Sequence, residues 1–176
     1  AIKPDDVVRD FCCRWHYSKT IPACQRKYGL YRSGELCGVA IFSVPVNYEA
    51  LADLPGDREE RTELGRFVLL DDVPANGESW FLARTFELLR REGFRGLLSM
   101  SDPHPRSAAD GSIVFPGHIG TIYQATSSVY LGRATPLTVR LLRYGTVLNA
   151  RAIQKLRAGE TGWRYAAERL VSFGAD

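Results

Sequence analysis

A chain of 176 residues, 45% hydrophobic and 24% charged, has the composition of one globular domain and the length to bury a core without disulfides or a structural metal. No apolar run reaches the roughly 18 to 20 residues that cross a bilayer, and Cys12, Cys13, Cys24 and Cys37 contain no C-x-x-C pair, against a disulfide framework or a cysteine-rich zinc site. The opening Ala-Ile-Lys-Pro-Asp-Asp has no signal-peptide pattern, so a cytoplasmic location with no membrane contact is expected.

Residues 5–15 read as a first helix. Asp5 and Asp6 suit its N-terminus, and Val8, Phe11, Cys12 and Trp15 recur at the spacing of one buried face. Lys27–Arg32 and Leu36–Val44 read as strands joined by a hairpin turn at Ser33-Gly34. A polar connection over 45–61 leads to a third strand, Thr62–Leu70. The loop 71–77 follows, then a helix over Glu78–Glu92 with Leu82, Phe86 and Leu89 on one face, an expected Glu87–Arg91 pair and Gly93 as its C-terminal cap. Gly96–Ser101 reads as a short strand ending at Asp102-Pro103. Strand, helix and strand of these lengths make a βαβ unit with parallel strands. Residues 103–117, with three prolines and two glycines, read as an irregular loop, Gly120–Ala125 as a short helix and Ser128–Gly132 as a strand. Two further helices are expected at Ala150–Ala158, with Asn149 as a cap, and at Trp163–Phe173, separated by Gly159 and Gly162.

The net charge of +3 is unevenly spread. Residues 1–131 carry 15 basic and 17 acidic side chains, residues 132–176 carry 8 and 3. A basic C-terminal quarter on a neutral body suits a polyanionic partner or a solvated basic face.

The order of elements is similar to the core of the GNAT acyltransferase superfamily. The implied fold is α/β (α+β), a mixed central sheet with splayed parallel strands flanked by helices, with residues 1–132 as a catalytic core and 133–176 as a basic, mainly helical extension packed on the same domain. Five short motifs in order carry a closer resemblance: His16-Tyr17-Ser18, Glu63-Leu64-Gly65-Arg66, the Pro74/Asn76/Ser79 run, Ser101-Asp102-Pro103, and Gly117-His118-Ile119-Gly120-Thr121-Ile122-Tyr123-Gln124-Ala125 with Tyr130-Leu131-Gly132. They resemble the bacteriophage Mom DNA-modification proteins. That resemblance implies a transferase that leaves an N6-carbamoylmethyl group on adenine in phage DNA, in the host cytoplasm during infection, and so evades restriction. Two features depart from the superfamily. The pyrophosphate loop Gln/Arg-x-x-Gly-x-Gly/Ala is replaced by Val73-Pro74-Ala75-Asn76-Gly77-Glu78-Ser79, whose carboxylate would repel a pyrophosphate, and the last 44 residues match no motif.

Tyr123 falls where many GNAT enzymes place a tyrosine that protonates the departing group, its phenolate stabilised by a nearby positive dipole. The same ring suits a core position. Asp102, at the C-terminal end of a parallel strand, can take a proton from an adenine amine, hold a metal, or simply turn the chain before Pro103. His16 can act as base, donor or ligand, or sit at the negative end of a helix dipole. Tyr17 joins these as a catalytic candidate, and Glu63, Arg66, Asn76, Ser79, His118 and Gln124 are candidates for holding substrate or cofactor. Arg66 can pair with Glu63 or contact phosphate, and Asn76 and Ser79 suit helix capping. His16, Asp102, His104 and His118 form a candidate set for iron or zinc, to be assembled only by the fold.

Modifying adenine in duplex DNA normally requires the base to leave the stack, and Trp15, Tyr17, Phe115, Tyr123 and Tyr130 are candidate walls for the pocket that receives it. Arg151, Lys155 and Arg157 are the candidate double-stranded DNA contacts, among a series that includes Arg133, Arg140, Arg143, Arg164 and Arg169 with Trp163 and Tyr165. The donor is open, acetyl-coenzyme A or another acyl donor, and so is a homodimer. The alternatives are an acetyl-coenzyme A-dependent N-acetyltransferase acting on a small amine or peptide, and a DNA-binding protein of GNAT type without catalysis.

Overall fold

The computed structural model describes residues 5–45, 47–136, 138, 140–142, 144–145, 147–148 and 150–172. The chain divides into two compact units, residues 1–102 with 119–129, and residues 103–118 with 130–176.

The first unit opens with α1 (Asp5–Trp15). Val8, Phe11 and Cys12 are buried as the periodicity requires, but Trp15 is 49% exposed and the fourth place on the buried face belongs to His16. Four-residue steps from Val8 to Cys12 to His16 stay on one side of a helix. Trp15 instead lies under the Arg14 guanidinium, 4.9 Å from its ring. Strands β1 (Cys24–Arg32) and β2 (Glu35–Ser43) form an antiparallel hairpin. Its turn residues Ser33 and Gly34 have φ of 50° and 87°, the left-handed pair that a tight two-residue turn needs. The connection over 45–61 holds two short 3-10 turns, Tyr48–Leu51 and Arg58–Glu60. β3 (Arg61–Leu69) pairs antiparallel with β2 and parallel with β4 (Gly96–Leu98), giving a four-stranded mixed sheet in the order β1-β2-β3-β4.

Helix α2 (Gly77–Arg91) makes the crossover between β3 and β4. Leu82 and Leu89 are buried and Phe86 packs against them. Glu87 takes Arg84, three residues earlier, at 2.9 Å, where the sequence suggested Arg91. Gly93, with φ of 94°, ends the helix: its N–H and that of Phe94 bond back to Arg90 and Leu89. Alternation along the strands divides the core. Val39 and Ile41 face α1, while Ala40, Phe42 and Leu64 face α2. The short helix α3 (Thr121–Ala125) also packs on the α2 side, through Ile122 and Tyr123.

Pairing between β3 and β4 covers only Arg61↔Gly96 to Glu63↔Leu98, after which β3 continues alone beside β2. No strand forms at Ser128–Gly132. Ser127 and Gly132, with φ of 59° and 114°, turn the backbone out of the extended region at both ends of that segment.

In the second unit the proline-rich loop contains a small hairpin, β5 (Arg106–Ser107) with β6 (Ile113–Phe115). Asp110 sets its turn by accepting from the backbone N–H of Ser112 at 2.9 Å, next to Gly111 with φ of 87°. A second pair, β7 (Arg140–Leu141) with β8 (Val147–Leu148), precedes the two expected helices, α4 (Ala150–Ala158) and α5 (Trp163–Ser172). Asn149, Phe173 and Arg143, and the side chains of Asp5, Asp6 and Arg169, lie outside the described residues.

Candidate active site

The site begins where α1 ends. The N–H of His16 bonds to Cys12 O at 2.9 Å, continuing the helical ladder, and Lys19, with φ of 50°, then turns the chain back. His16 is 8% exposed. Its Nδ1 receives the backbone N–H of Ser18 at 3.1 Å and lies 2.8 Å from Ser18 Oγ. A backbone N–H can only donate, so Nδ1 accepts and the neutral ring carries its proton on Nε2. Outside this loop, Thr20 Oγ1 donates to Ser18 Oγ over a long 3.4 Å, and Arg66 holds Thr20 with two bonds of 3.0 Å, from Nε to the carbonyl and from Nη2 to Oγ1. The guanidinium fork thus fixes the loop that fixes the imidazole.

Arg66 reaches Thr20 because of the glycine in Glu63-Leu64-Gly65-Arg66. The β2–β3 register shifts there: Ile41 opposes Arg66 while Phe42 opposes Leu64, which leaves Gly65 as the extra residue of a bulge. Residues three apart in a regular strand face opposite ways. The bulge restores parity, so Glu63 and Arg66 both lie on the α1 side. A Cβ at Gly65 would meet Ser43 Oγ at 2.5 Å and Pro22 Cγ at 3.0 Å, so only glycine lets the loop cross here.

Tyr17 stacks at an angle on His16, ring centroids 4.3 Å apart, and is 45% exposed. Tyr123 packs on the α2-side core and donates from Oη to Met100 O at 3.3 Å. Burial, and then the nearby Tyr17, push the Tyr123 phenol above its ordinary value of 10.0. The positive dipole expected to stabilise its phenolate is not what dominates there; the surroundings keep the proton on the oxygen. Gly120, with φ of 76°, starts α3, and a Cβ at that position would lie 2.8 Å from Tyr123 Cδ2 and 3.4 Å from Ser101 Cβ. Close approach to glycine therefore seats the ring and brings the Ser99–Asp102 segment beside the start of α3. Since β4 ends at Leu98, Asp102 stands four residues beyond the strand and is half-buried. Gln124 is exposed on α3. Of the catalytic candidates, His16, Tyr17 and Tyr123 are thus drawn together, with Asp102 carried on the neighbouring segment.

At the start of α2, Asn76 has left-handed backbone (φ 70°) and its side chain makes no capping bond, while Ser79 Oγ donates to Asn76 O at 3.2 Å. The approach to this helix carries Asp71 and Asp72, and Glu78 stands in the first turn, with no basic residue between 70 and 79. Arg32 pairs with Asp72, but a pyrophosphate set there would still meet the Asp71 and Glu78 carboxylates, so these residues do not fit coenzyme A bound through that loop. His104 and His118 belong to the second unit, where His118 meets the edge of Phe115 at 6.1 Å and Arg106 lies 4.1 Å above the same ring. Among the described residues no three His, Cys, Asp or Glu side chains gather as a metal-binding group.

A chain with these motifs, in this order, is matched over residues 2–172 by the profile of the Mom protein family. The chain belongs to the Mom protein family. Membership implies a DNA-modifying enzyme with DNA as its substrate. A search of curated proteins returns no match.

Helix α4 carries the three cations expected from the sequence to contact DNA, and they divide. Arg151 pairs with Glu160 at 2.6 Å, and Lys155 points to the same glycine turn, its Nζ near Gly162. Arg157 lies on another side of α4, where it and Arg140 line a shallow cleft with Ala150, Ile153, Gln154 and Ala158. Arg140 and Arg157 have no carboxylate partner among the described residues. The candidate trio therefore does not form one face. Ser18 belonged to a recognised motif, but Thr20 and Met100 carried no sequence signal, because their parts are played by a loop crossing and a backbone carbonyl.

Proposed function

We propose that this Mom family protein transfers a carbamoylmethyl-type group to N6 of adenine in double-stranded phage DNA, shielding that DNA from host restriction endonucleases. The supporting observation is the convergence of His16, Tyr17 and Tyr123 in a chain that matches the family over residues 2–172.

In this reading the adenine N6 lone pair attacks the electrophilic carbon of the donor, and the bond from that carbon to its leaving group breaks. The Asp102 carboxylate takes the N6 proton. The Tyr123 hydroxyl, held protonated at neutral pH, gives its proton to the leaving group, and the proton taken by Asp102 returns through water to the Tyr123 phenolate, which restores both groups. The Nε2–H of His16 donates a hydrogen bond that orients the reacting group, and Tyr17 offers an exposed ring for the base to stack upon. Glu63 and Gln124 remain candidates for contacts to substrate. Coenzyme A, iron and zinc take no step in this scheme.

Plasmid DNA from cells expressing the protein should resist endonucleases whose sites contain adenine. Plasmid from cells expressing Tyr123→Phe should be cut, because loss of a general acid costs roughly 10² to 10⁴ in rate. Full cleavage of plasmid made beside well-expressed wild type would sink the proposal.

A further inference from the structure

The motif Tyr130-Leu131-Gly132 takes no part in that chemistry, yet it belongs to the most exposed apolar run in the described chain. Val129 is 80% exposed, Tyr130 79% and Leu131 65%. Three consecutive bulky apolar side chains in water are costly, and a run of them asks for an occupant.

The segment is built to project. Ser127 at φ 59° and Gly132 at φ 114° turn the backbone at its two ends. Its base is tied to α3: the N–H of Ser128 bonds to Tyr123 O at 3.0 Å, that of Ser127 to Gln124 O at 3.0 Å, and Thr126 Oγ1 to Tyr123 O at 3.0 Å. Arg133, exposed, follows Gly132 directly. A rigid base, an apolar tip and a flanking cation match the chemistry of a nucleic-acid duplex, apolar between its base pairs and anionic outside them.

We propose that Val129, Tyr130 and Leu131 form a wedge that enters the DNA stack and fills the space left when the target adenine swings out. This rests on the DNA-modifying reading above. The physical need is definite: a paired adenine hides its N6 in the duplex, extrusion costs unstacking energy, and side chains that take the base's place recover part of it. Arg133 holds the adjoining phosphate.

The test compares a short intact duplex with the same duplex carrying one abasic position, each titrated with the full chain by fluorescence anisotropy. The abasic duplex has already lost the stacking that the wedge must displace, so wild type should bind it about tenfold more tightly. The double variant Tyr130→Ala/Leu131→Ala should lose that preference while binding the intact duplex within about twofold of wild type. Its melting temperature should match wild type, because both side chains stand in solvent. Equal binding of the two duplexes by wild type, or an undiminished preference in the double variant, contradicts the wedge alone. A double variant that changes from dimer to monomer in sedimentation shows that a second copy covers the run, and also overturns it. Wild type that binds neither duplex contradicts the DNA-modifying reading itself.

Discussion

Ser18 gives its backbone N–H to His16 Nδ1 across 3.1 Å, so the imidazole accepts on that side and presents Nε2–H on the other. The loop that makes this bond is held by Arg66 through Thr20. Arg66→Lys keeps the charge but cannot span the Thr20 carbonyl and hydroxyl with a fork. The modification rate should fall about tenfold to a hundredfold, as when a supporting shell is loosened, with stability changing by roughly 1 kcal/mol. A time course of modified deoxyadenosine in expressing cells reads this. Wild-type kinetics in a folded Arg66→Lys protein would show that the loop needs no such clamp.

Gly120 and Gly93 both have positive φ, 76° and 94°, but only Gly120 has a neighbour where a Cβ would go, Tyr123 Cδ2 at 2.8 Å. Alanine should therefore cost each site about 1 to 3 kcal/mol of backbone strain. Gly120→Ala should also displace the Tyr123 ring and abolish modification, while Gly93→Ala keeps it. Thermal melts beside nucleoside analysis separate the two, and equal activity in both variants would deny the ring's seating a role.

Cys12 and Cys13 are adjacent, the first buried and the second exposed. Burial pushes the Cys12 thiol up from 9.0 to about 11, against a smaller lowering by Arg66. The thiolate is the reactive form, so iodoacetamide on native protein should label Cys13 and spare Cys12. A raised folded-state value favours the neutral thiol in the fold. The associated stability is thus full below pH 9 and lost as pH rises through about 11. Peptide mass spectrometry after a brief pulse checks the labelling; equal labelling would mean that α1 opens readily.

Arg140 and Arg157 share a cleft with no carboxylate among the described residues that line it, whereas Arg151 is paired with Glu160. Each phosphate neutralised adds about −0.9 to the slope of log K against log salt. Replacing Arg140 and Arg157 by alanine should flatten that slope for duplex DNA by about 1.8, and Arg151→Ala should change it less. A larger effect from Arg151→Ala would mean that its ion pair opens on DNA.

Much of the fold was legible because it is local. The periodicity of α1 and α2, the Ser33-Gly34 turn, Gly93 after α2 and the bounds of α4 all follow from rules spanning a few residues. Trp15 was misplaced because adjacent positions both lie near a helix's buried edge, and a charged neighbour, Arg14, settled which way the indole turned. The β5–β6 hairpin was read as loop because its prolines outweighed Asp110-Gly111, a turn signal in its own right. At Ser128–Gly132 apolar content alone suggested a strand, but three bulky residues in a row lack the alternation of a half-buried one. In the site, His16, Tyr17 and Tyr123 were visible as residue types. Their convergence, and the part of Thr20, depend on the Gly65 bulge and the Gly120 approach, which join segments 46 and 19 residues apart and leave no periodicity to read.

The central claim is that Tyr123 serves DNA modification in this Mom family protein. Mass spectrometry of nucleosides from the DNA of cells expressing wild type or Tyr123→Phe tests it most directly. Wild type should yield a deoxyadenosine carrying the added group, and Tyr123→Phe, folded and equally abundant, at least about a hundredfold less. Unmodified nucleosides in both, or the same modified fraction in both, would contradict the account.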